Sequence, residues 1–146
     1  MTNREHETLT TGAGLLDRSE RHDLLEVTGE DRQRFLNGQV TCDLQPLEAG
    51  SSTYGFFTTR QGKIQADATL LALDDRIWLE LPAGTGAEIR QRLELYALAD
   101  RVAAAPLPGR ALLSLAGPRA AAVLEASGIE PPEPGRHRPA AFAGVD

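Results

Sequence analysis

Hydrophobic and polar positions alternate most regularly in the central part of the chain. Residues 54–59 are rich in aromatic and β-branched side chains, residues 64–73 form a second extended run, and residues 76–81 form a third. Between the first two runs, residues 60–63 read Arg-Gln-Gly-Lys, with a glycine where a tight hairpin needs a positive φ. This pattern predicts a three-stranded antiparallel meander.

The second strand of this meander has two predicted faces of different character. Because side chains alternate along a strand, one face carries Ile64, Ala66, Ala68, Leu70 and Ala72, and the other carries Gln65, Asp67, Thr69, Leu71 and Leu73. The first face is wholly apolar, as expected for the side of a strand that packs in a core. The second is polar near the turn and apolar at its far end, which predicts that its near half lines a cleft.

Helix signals interrupt the strand pattern. Thr28, with Asp31 three residues later, predicts the start of a short helix that ends near Gly38, and Thr85 with Glu88 predicts a longer one. The other predicted elements are strands at 15–16, 24–27, 101–107 and 110–116 and an alanine-rich helix at 117–128. The order ββαβββαββα, in which helices alternate with antiparallel hairpins, predicts an α+β fold with helices packed on an antiparallel sheet.

The two ends of the chain lack these patterns. Residues 1–13 are polar and predict a disordered tail, whereas residues 14–128 are expected to form one domain. Residues 129–146 predict a proline-rich tail, in which Phe142 and Val145 resemble the beginning of an element without a continuation.

Composition narrows the functional classes. The chain has 146 residues, of which 41% are hydrophobic and 25% charged, as in ordinary globular domains. A net charge of −6 argues against direct nucleic-acid binding, and no segment resembles a signal peptide or a membrane span, so we expect a cytoplasmic protein. The single Cys42, expected to be a small half-buried residue, excludes an internal disulfide. Because the three histidines lack ligand spacing, no metal site is predicted.

Asp67 has the strongest signal for a functional role. A carboxylate within a strand and flanked by alanines is costly to bury unless a partner donates to it, so Asp67 is exposed at an edge, paired with a cation, or functional. Trp78 and Glu80 share a face of the next strand and can approach Asp67 across the sheet, which would form a polar and aromatic patch. An ordinary solvent-exposed face explains the same pattern.

Several motifs in a fixed order add a family resemblance. They are LLDRSER at 15–21, VTGEDR at 27–32, FLNGQVTCD at 35–43, YGFFT at 54–58, GKIQAD at 62–67 and LLSLAGPRAAAVL at 112–124. Together they make the chain resemble, over residues 14–128, the YgfZ-type folate-binding proteins, which are relatives of the glycine-cleavage aminomethyltransferase, or T-protein.

The resemblance implies a fold of two similar α+β halves that hold tetrahydrofolate, or a derivative of it, between them. This chain would contain the first half, ββαβββα, and the start of the second. In the T-protein a strand aspartate near the folate pteridine positions the cofactor for one-carbon transfer, and Asp67 takes that place here as the implied catalytic residue. Arg21, Trp78 and Glu80 map onto the residues that flank the pocket, and with Asp67 they form the implied folate-binding set.

Two departures from the family patterns shape the expected function. The signature Lys-Gly-Cys-aromatic-x-Gly-Gln of the YgfZ-type proteins does not occur, and its place would lie beyond Asp146, so the chain resembles the first part of a longer protein. The two positions that usually hold paired acids in the T-protein are Ala66 and Asp67 here, which favours the YgfZ-type proteins.

The favoured function is therefore folate binding in a YgfZ-type protein, whose relatives support iron–sulfur proteins and tRNA modification. Iron–sulfur proteins and a second copy of this chain are the macromolecular partners that this function suggests. A glycine-cleavage-type aminomethyltransferase is the enzyme alternative, and an interaction module that has lost its ligand is the non-catalytic alternative. The resemblance leaves open whether the chain catalyses a reaction.

Overall fold

A computed structural model describes residues 3–141 of the chain. The helices are α1 (Asn3–Thr11), α2 (Arg32–Asn37), α3 (Gly86–Tyr96) and α4 (Ala120–Ala126). The strands are β1 (Gly14–Asp17), β2 (His22–Thr28), β3 (Ser52–Thr58), β4 (Ile64–Ala72), β5 (Arg76–Pro82), β6 (Ala103–Pro106) and β7 (Leu113–Ala116), and a 3₁₀ turn at Ser19–Arg21 precedes β2. The predicted α+β class is confirmed. None of the described helices is long and apolar enough to span a membrane.

The described residues divide into two compact units. The sheet unit comprises residues 20–110 and 135–137, and the terminal unit comprises residues 1–19, 111–134 and 138–146 as far as they are described. The boundary after Arg110 falls inside residues 14–128, which the sequence analysis assigned to one domain. Phe142 and Val145 lie outside the described residues.

The sheet unit is built on a five-stranded sheet in the order β3-β4-β5-β2-β6, in which every neighbouring pair is antiparallel. The predicted meander is confirmed as β3, β4 and β5. In the turn between β3 and β4, Gly62 has a φ of 80°, the left-handed conformation that the hairpin requires and that glycine adopts without strain.

One face of this sheet forms the hydrophobic core. Its members on β4 are Ala66, Ala68, Leu70 and Ala72, and α2 and α3 add Phe35, Leu36, Ile89 and Leu93. No polar or charged side chain of the described residues is buried. Because burying a leucine-sized side chain stabilises a fold by about 1.5–3 kcal/mol, this apolar packing holds α3 on the sheet.

The terminal unit contains a two-stranded antiparallel sheet of β1 and β7, in which Gly14 lies opposite Ala116. The fully buried hydrophobic side chains of the described residues all belong to the sheet unit, and none lies on α4. Leu15 and Leu113 are more than half exposed. The terminal unit is therefore held mainly by backbone hydrogen bonds, such as that from the Arg18 N–H to the Leu112 carbonyl at 2.7 Å.

Two expectations about chain organisation are wrong. Residues Asn3–Thr11 form α1, where a disordered tail was predicted. The last two strands were expected to form a hairpin, but β6 pairs with β2 whereas β7 pairs with β1 in the other sheet. Both strands pair with strands that are distant in the sequence, and local sequence patterns do not predict such pairings.

Of the two predicted helix caps, the one at Thr28 is wrong and the one at Thr85 is correct in position only. Thr28 is the last residue of β2, and α2 begins only at Arg32. Thr85 occupies the N-cap position of α3 as predicted, but its hydroxyl donates to the Pro82 carbonyl at 2.7 Å and makes no capping hydrogen bond. Instead, Asp23 from β2 accepts hydrogen bonds at Oδ2 from the N–H groups of Gly84 and Gly86, at 2.9 and 2.8 Å. A carboxylate from a neighbouring strand thus satisfies the start of α3.

Candidate functional site

The face of the five-stranded sheet opposite the core, called the polar face below, carries every strand residue of the predicted site. Its side chains are Tyr54 and Phe56 of β3, Asp67, Thr69 and Leu71 of β4, Trp78 and Glu80 of β5, and His22, Leu24 and Glu26 of β2. Tyr54 is exposed and the others are partly exposed. This face therefore combines aromatic rings with carboxylates that water can reach.

Asp67 lies opposite Phe56 and between two alanines that face the core. The Tyr54 hydroxyl donates a hydrogen bond to Asp67 Oδ2 at 3.0 Å. Tyr54 pairs with Thr69, so the phenol reaches Asp67 diagonally across the β3–β4 ladder. This hydrogen bond to a carboxylate raises the pKa of Tyr54, because ionising the phenol would place two negative charges next to each other.

Glu80 lies opposite Thr69 on one side and Leu24 on the other. Its carboxylate Oε1 is 3.1 Å from Nδ1 of His22, the first residue of β2. Both side chains are less than one-fifth exposed. The polar neighbour of Glu80 is therefore His22 on β2, which lies on the opposite side of β5 from Asp67.

Glu26 collects the third set of polar contacts. Its Oε2 accepts hydrogen bonds from Arg76 Nη1 at 2.7 Å and from Trp78 Nε1 at 3.1 Å. The Arg76 guanidinium, with the Trp78 indole, holds the pKa of the Glu26 carboxyl below its usual value. The guanidinium of Arg110 lies over the Trp78 ring, 5.7 Å from its centroid, in a cation–π contact. The indole is thereby fixed at its nitrogen and covered by a cation.

The structure brings Asp67, Trp78 and Glu80 to one face of the sheet. Arg21 lies outside the sheet, in the 3₁₀ turn before β2, and its side chain is exposed. Its carbonyl accepts a hydrogen bond at 3.0 Å from Ala83, just beyond the end of β5. Arg21 therefore lies near the end of the sheet where β5 ends and β2 begins. On β4, Asp67 is closer to this end than Thr69 is.

Sequence reasoning missed three partners: Tyr54, His22 and Glu26. The signal for Tyr54 was available, because a tight hairpin fixes the register that brings it to Asp67. His22 and Glu26 lie on β2, which inserts between β5 and β6 although it is distant from both in sequence. No local pattern predicts that insertion, so neither residue could be found from the sequence alone.

A bulge near the hairpin corrects the predicted faces of β4. Phe57 pairs with Ala66 but Thr58 pairs with Ile64, so Gln65 is an extra residue. Ile64 is consequently 64% exposed and not in the core. Gln65 does not share the face of Asp67 as predicted; its amide nitrogen donates to Glu88 Oε1 on α3 at 3.0 Å.

Cys42 has the features of a structural residue. It is half-buried, and burial raises the pKa of its thiol. Its sulfur is only 2.6 Å from the position that a Cβ on Gly55 would take, so the thiol packs directly on the β3 backbone. Within the described part of the chain, no group of three or more His, Cys, Asp or Glu side chains could hold a metal ion.

Comparisons with known proteins agree with this architecture. The family model of the GCVT N-terminal domain matches residues 1–130. The tRNA-modifying protein YgfZ of Vibrio vulnificus (strain YJ016) is 34% identical over 80 residues, which cover 54% of this chain and 24% of that protein. The tRNA-modifying protein YgfZ of Escherichia fergusonii is 28% identical over 102 residues, which cover 69% of this chain and 31% of that protein.

A solved structure gives the same result at the level of the fold. The crystal structure of the glycine cleavage system aminomethyltransferase T from Bartonella henselae superposes with a TM-score of 0.81 and 32% identity, covering 89% of this chain and 36% of that chain. The present chain therefore spans about a quarter to a third of the length of these proteins. The likeness concerns one part of each of them.

Proposed function

Because the chain belongs to the family of the GCVT N-terminal domain, we propose that the polar face of its sheet is one wall of a tetrahydrofolate-binding site in a YgfZ-type protein. The residues proposed to line this wall are Asp67, Tyr54, Trp78, Glu80 and, at its end, Arg21. The face carries carboxylates beside aromatic rings, the combination that suits a flat heterocycle rich in N–H donors.

The observation that carries the proposal is that one carboxylate oxygen of Asp67 has no hydrogen-bond partner among the described residues. Among the described residues only Tyr54 hydrogen-bonds its carboxylate, and it does so at Oδ2. Oδ1 therefore keeps its capacity to accept hydrogen bonds from the amino and N–H groups of a pteridine ring. The bond from Tyr54 fixes the orientation of the carboxylate before the ligand arrives, which lowers the entropic cost of binding.

Trp78 and Glu80 have a supporting role in this proposal. Glu26 holds the indole nitrogen and Arg110 lies over the ring, so the indole of Trp78 is fixed in orientation as part of the wall. Arg110 itself, an exposed cation beside the polar face, is suited to the carboxylates of the glutamate tail of a folate. Bound tetrahydrofolate would supply the one-carbon chemistry, and this chain would supply the binding wall.

For the whole protein, we propose a role in tRNA modification and in the maintenance of iron–sulfur proteins. The support is the likeness to proteins named as tRNA-modifying. In this proposal the chain acts through folate and client proteins, because its own net charge of −6 disfavours direct contact of this part with RNA.

Titration calorimetry of the intact chain with reduced tetrahydrofolate tests the site. Trp78 is the single tryptophan of the chain, so its fluorescence gives a second, local readout. Asp67→Asn keeps the shape and removes the charge, and we expect affinity to fall about tenfold or more, since hydrogen bonds to charged groups contribute about 1.5–3 kcal/mol. Asp74→Asn, at an exposed turn away from the polar face, is the matched control and should leave affinity unchanged.

The outcomes separate the alternatives. Saturable binding that Asp67→Asn weakens and Asp74→Asn preserves supports the proposal. Binding that Asp67→Asn leaves intact removes Asp67 from the site, and no saturable binding by the unaltered chain contradicts a folate wall in this chain.

One-carbon transfer is the second candidate function, favoured by the likeness to an aminomethyltransferase structure. On β4, Asp67 is the one carboxylate, and its neighbours Ala66 and Ala68 face the core. A single carboxylate can orient and polarise a bound cofactor. Formation of methylenetetrahydrofolate from tetrahydrofolate and an aminomethyl donor, lost in Asp67→Asn, would favour the enzyme over the binding protein.

A further inference from the structure

A second concave site in the sheet unit lies away from the polar face. It is an open cleft of about 560 Å³, called the Arg92 cleft below. Its walls are the segment after α2, the hairpin end of β3 and β4, and the second half of α3. The residues that matter for its chemistry are Gln39, Thr41, Thr59, Arg60, Gln65 and Arg92.

Arg92 carries a half-buried positive charge whose hydrogen-bond partners, among the described residues, are all neutral oxygens. Its Nη1 donates to the Thr58 carbonyl at 2.7 Å and to the side-chain oxygen of Gln65, and its Nε donates to Gln39 Oε1 at 3.4 Å. Among the described residues no carboxylate lies within 4.0 Å of this guanidinium, although Glu88 on the same helix reaches Gln65. By contrast, Arg76, which also belongs to the sheet unit, pairs with the carboxylates of Glu26 and Asp75.

The guanidinium of Arg92 is also fixed in position. Its guanidinium lies 5.7 Å from the ring centroid of Phe57 and 5.9 Å from that of Tyr96. A charge taken partly out of water without an opposite charge costs free energy, which a bound anion would recover. A guanidinium held by three hydrogen bonds and two rings also pays little further entropy when it binds.

Two threonine hydroxyls of the cleft can act as donors to a ligand. The Thr41 hydroxyl accepts from the Phe56 N–H at 2.9 Å, and the Thr59 hydroxyl accepts from the N–H groups of Gln61 and Lys63. A hydroxyl that accepts in this way keeps its own proton to donate. The side-chain oxygens of Gln39 and Gln65 already accept hydrogen bonds from Arg92.

The geometry of these donors selects the shape of the anion. Because Nε and Nη1 of Arg92 are occupied, only Nη2 is available to a ligand. A carboxylate gains most from two parallel bonds to one guanidinium edge, which this arrangement blocks. A tetrahedral phosphate accepts single bonds from several directions, which matches one nitrogen, two hydroxyls and the exposed Arg60 at the mouth.

We propose that the Arg92 cleft binds the phosphate group of a small-molecule ligand, with Arg92 and the hydroxyls of Thr41 and Thr59 as its donors and Arg60 as an additional cation. This site is separate from the proposed folate wall and does not depend on it.

Titration of the intact chain with inorganic phosphate, followed by ¹H–¹⁵N NMR of backbone amides and arginine side chains, tests the proposal. We expect saturable shifts at residues 39–41, 58–60 and 92. Arg60→Gln alters an exposed side chain that makes no hydrogen bond or ion pair with the described residues, and it should weaken binding about tenfold, which corresponds to about 1.4 kcal/mol. Arg92→Lys keeps the charge but not the fork, and should weaken it at least as much.

Arg90→Gln is the matched control, because Arg90 lies on the same helix and makes an exposed pair with Glu94 at 3.5 Å, outside the cleft. It removes the same charge as Arg60→Gln and should leave phosphate binding unchanged. Equal losses in both variants, or equal shifts with chloride at matched ionic strength, would show non-specific attraction and overturn the proposal. Absence of saturable shifts with phosphate would overturn it too. Asp67→Asn should bind phosphate normally, so this test and the folate test fail independently.

Discussion

The two faces of the five-stranded sheet share the same strands and differ in what a lost side chain leaves behind. On the core face, Leu70 and Leu79 are fully buried among apolar neighbours, and a truncation there leaves a cavity. On the polar face, each carboxylate has a polar neighbour and contact with solvent, so water replaces what is removed. Stability is therefore concentrated on the core face, and substitutions on the polar face are expected to cost less.

Truncation of matched leucines gives the largest expected effect. Leu79→Ala on β5 should destabilise the sheet unit by about 2–5 kcal/mol, because the buried site cannot collapse completely. Leu71→Ala on the polar face, where the side chain is partly exposed, should cost about 1 kcal/mol. Urea unfolding monitored by circular dichroism gives both values. Equal losses would mean that the polar face is also a packed core.

A test of packing on the core side comes second. Gly55 lies opposite Ala68, and an added Cβ would stand 2.6 Å from the Cys42 sulfur. Gly55→Ala should therefore cost about 1–3 kcal/mol through overpacking. Cys42→Ala in the same chain removes the sulfur but leaves the Cβ of residue 42 at 3.0 Å, so we expect partial rescue in a double-mutant cycle of unfolding free energies. Strict additivity of the two substitutions would contradict the packing.

Sequence reasoning succeeded where the chain is locally consistent. The meander followed from alternation around Gly62, and the burial of Ala66, Ala68 and Leu70 followed from the two-residue period of β4. The same period placed Asp67 on the opposite face. The wall around Asp67 could thus be predicted as a set of β4 and β5 positions, without its hydrogen bonds.

It failed where structure depends on partners distant in the chain. Asp23 caps α3 across more than sixty residues, a contact that no capping pattern contains. The bulge at Gln65 changes the register by one residue, which turns Ile64 away from the core and directs Gln65 to Arg92. The Arg92 cleft depends on that bulge, so a regular strand pattern could not predict it.

On the polar face, the pH dependence of stability tests the contribution of Glu26, and the expected effect is smaller than those of the packing substitutions. Arg76 and Trp78 hold the pKa of Glu26 below its ordinary value in the folded chain. Its contribution is therefore present above the ordinary value of 4.5 and is lost as the pH falls through the lowered pKa. Urea midpoints measured on acidification should fall more steeply in the wild type than in Glu26→Gln.

The matched control for this effect is Glu48→Gln, because Glu48 is exposed and its carboxylate has no partner among the described residues. Its acid slope should parallel that of the wild type. If the urea midpoint of Glu26→Gln falls on acidification as steeply as that of the wild type, the hydrogen bonds from Arg76 and Trp78 contribute nothing to stability. The polar face would then be an ordinary solvated surface.

The smallest effect concerns the pair at the centre of the proposed folate wall. The Asp67 carboxylate raises the pKa of Tyr54, so the stabilisation from this hydrogen bond is present at lower pH and is lost as the pH rises through the raised value. Asp67→Asn keeps an accepting oxygen but removes the charge, and the pKa of Tyr54 should move down toward its ordinary value of 10.0. Tyrosinate absorbance measures this in a Tyr96→Phe background, since the chain has two tyrosines. An unmoved pKa would mean that Tyr54 does not hold Asp67, and the carboxylate would then meet its ligand without a fixed orientation.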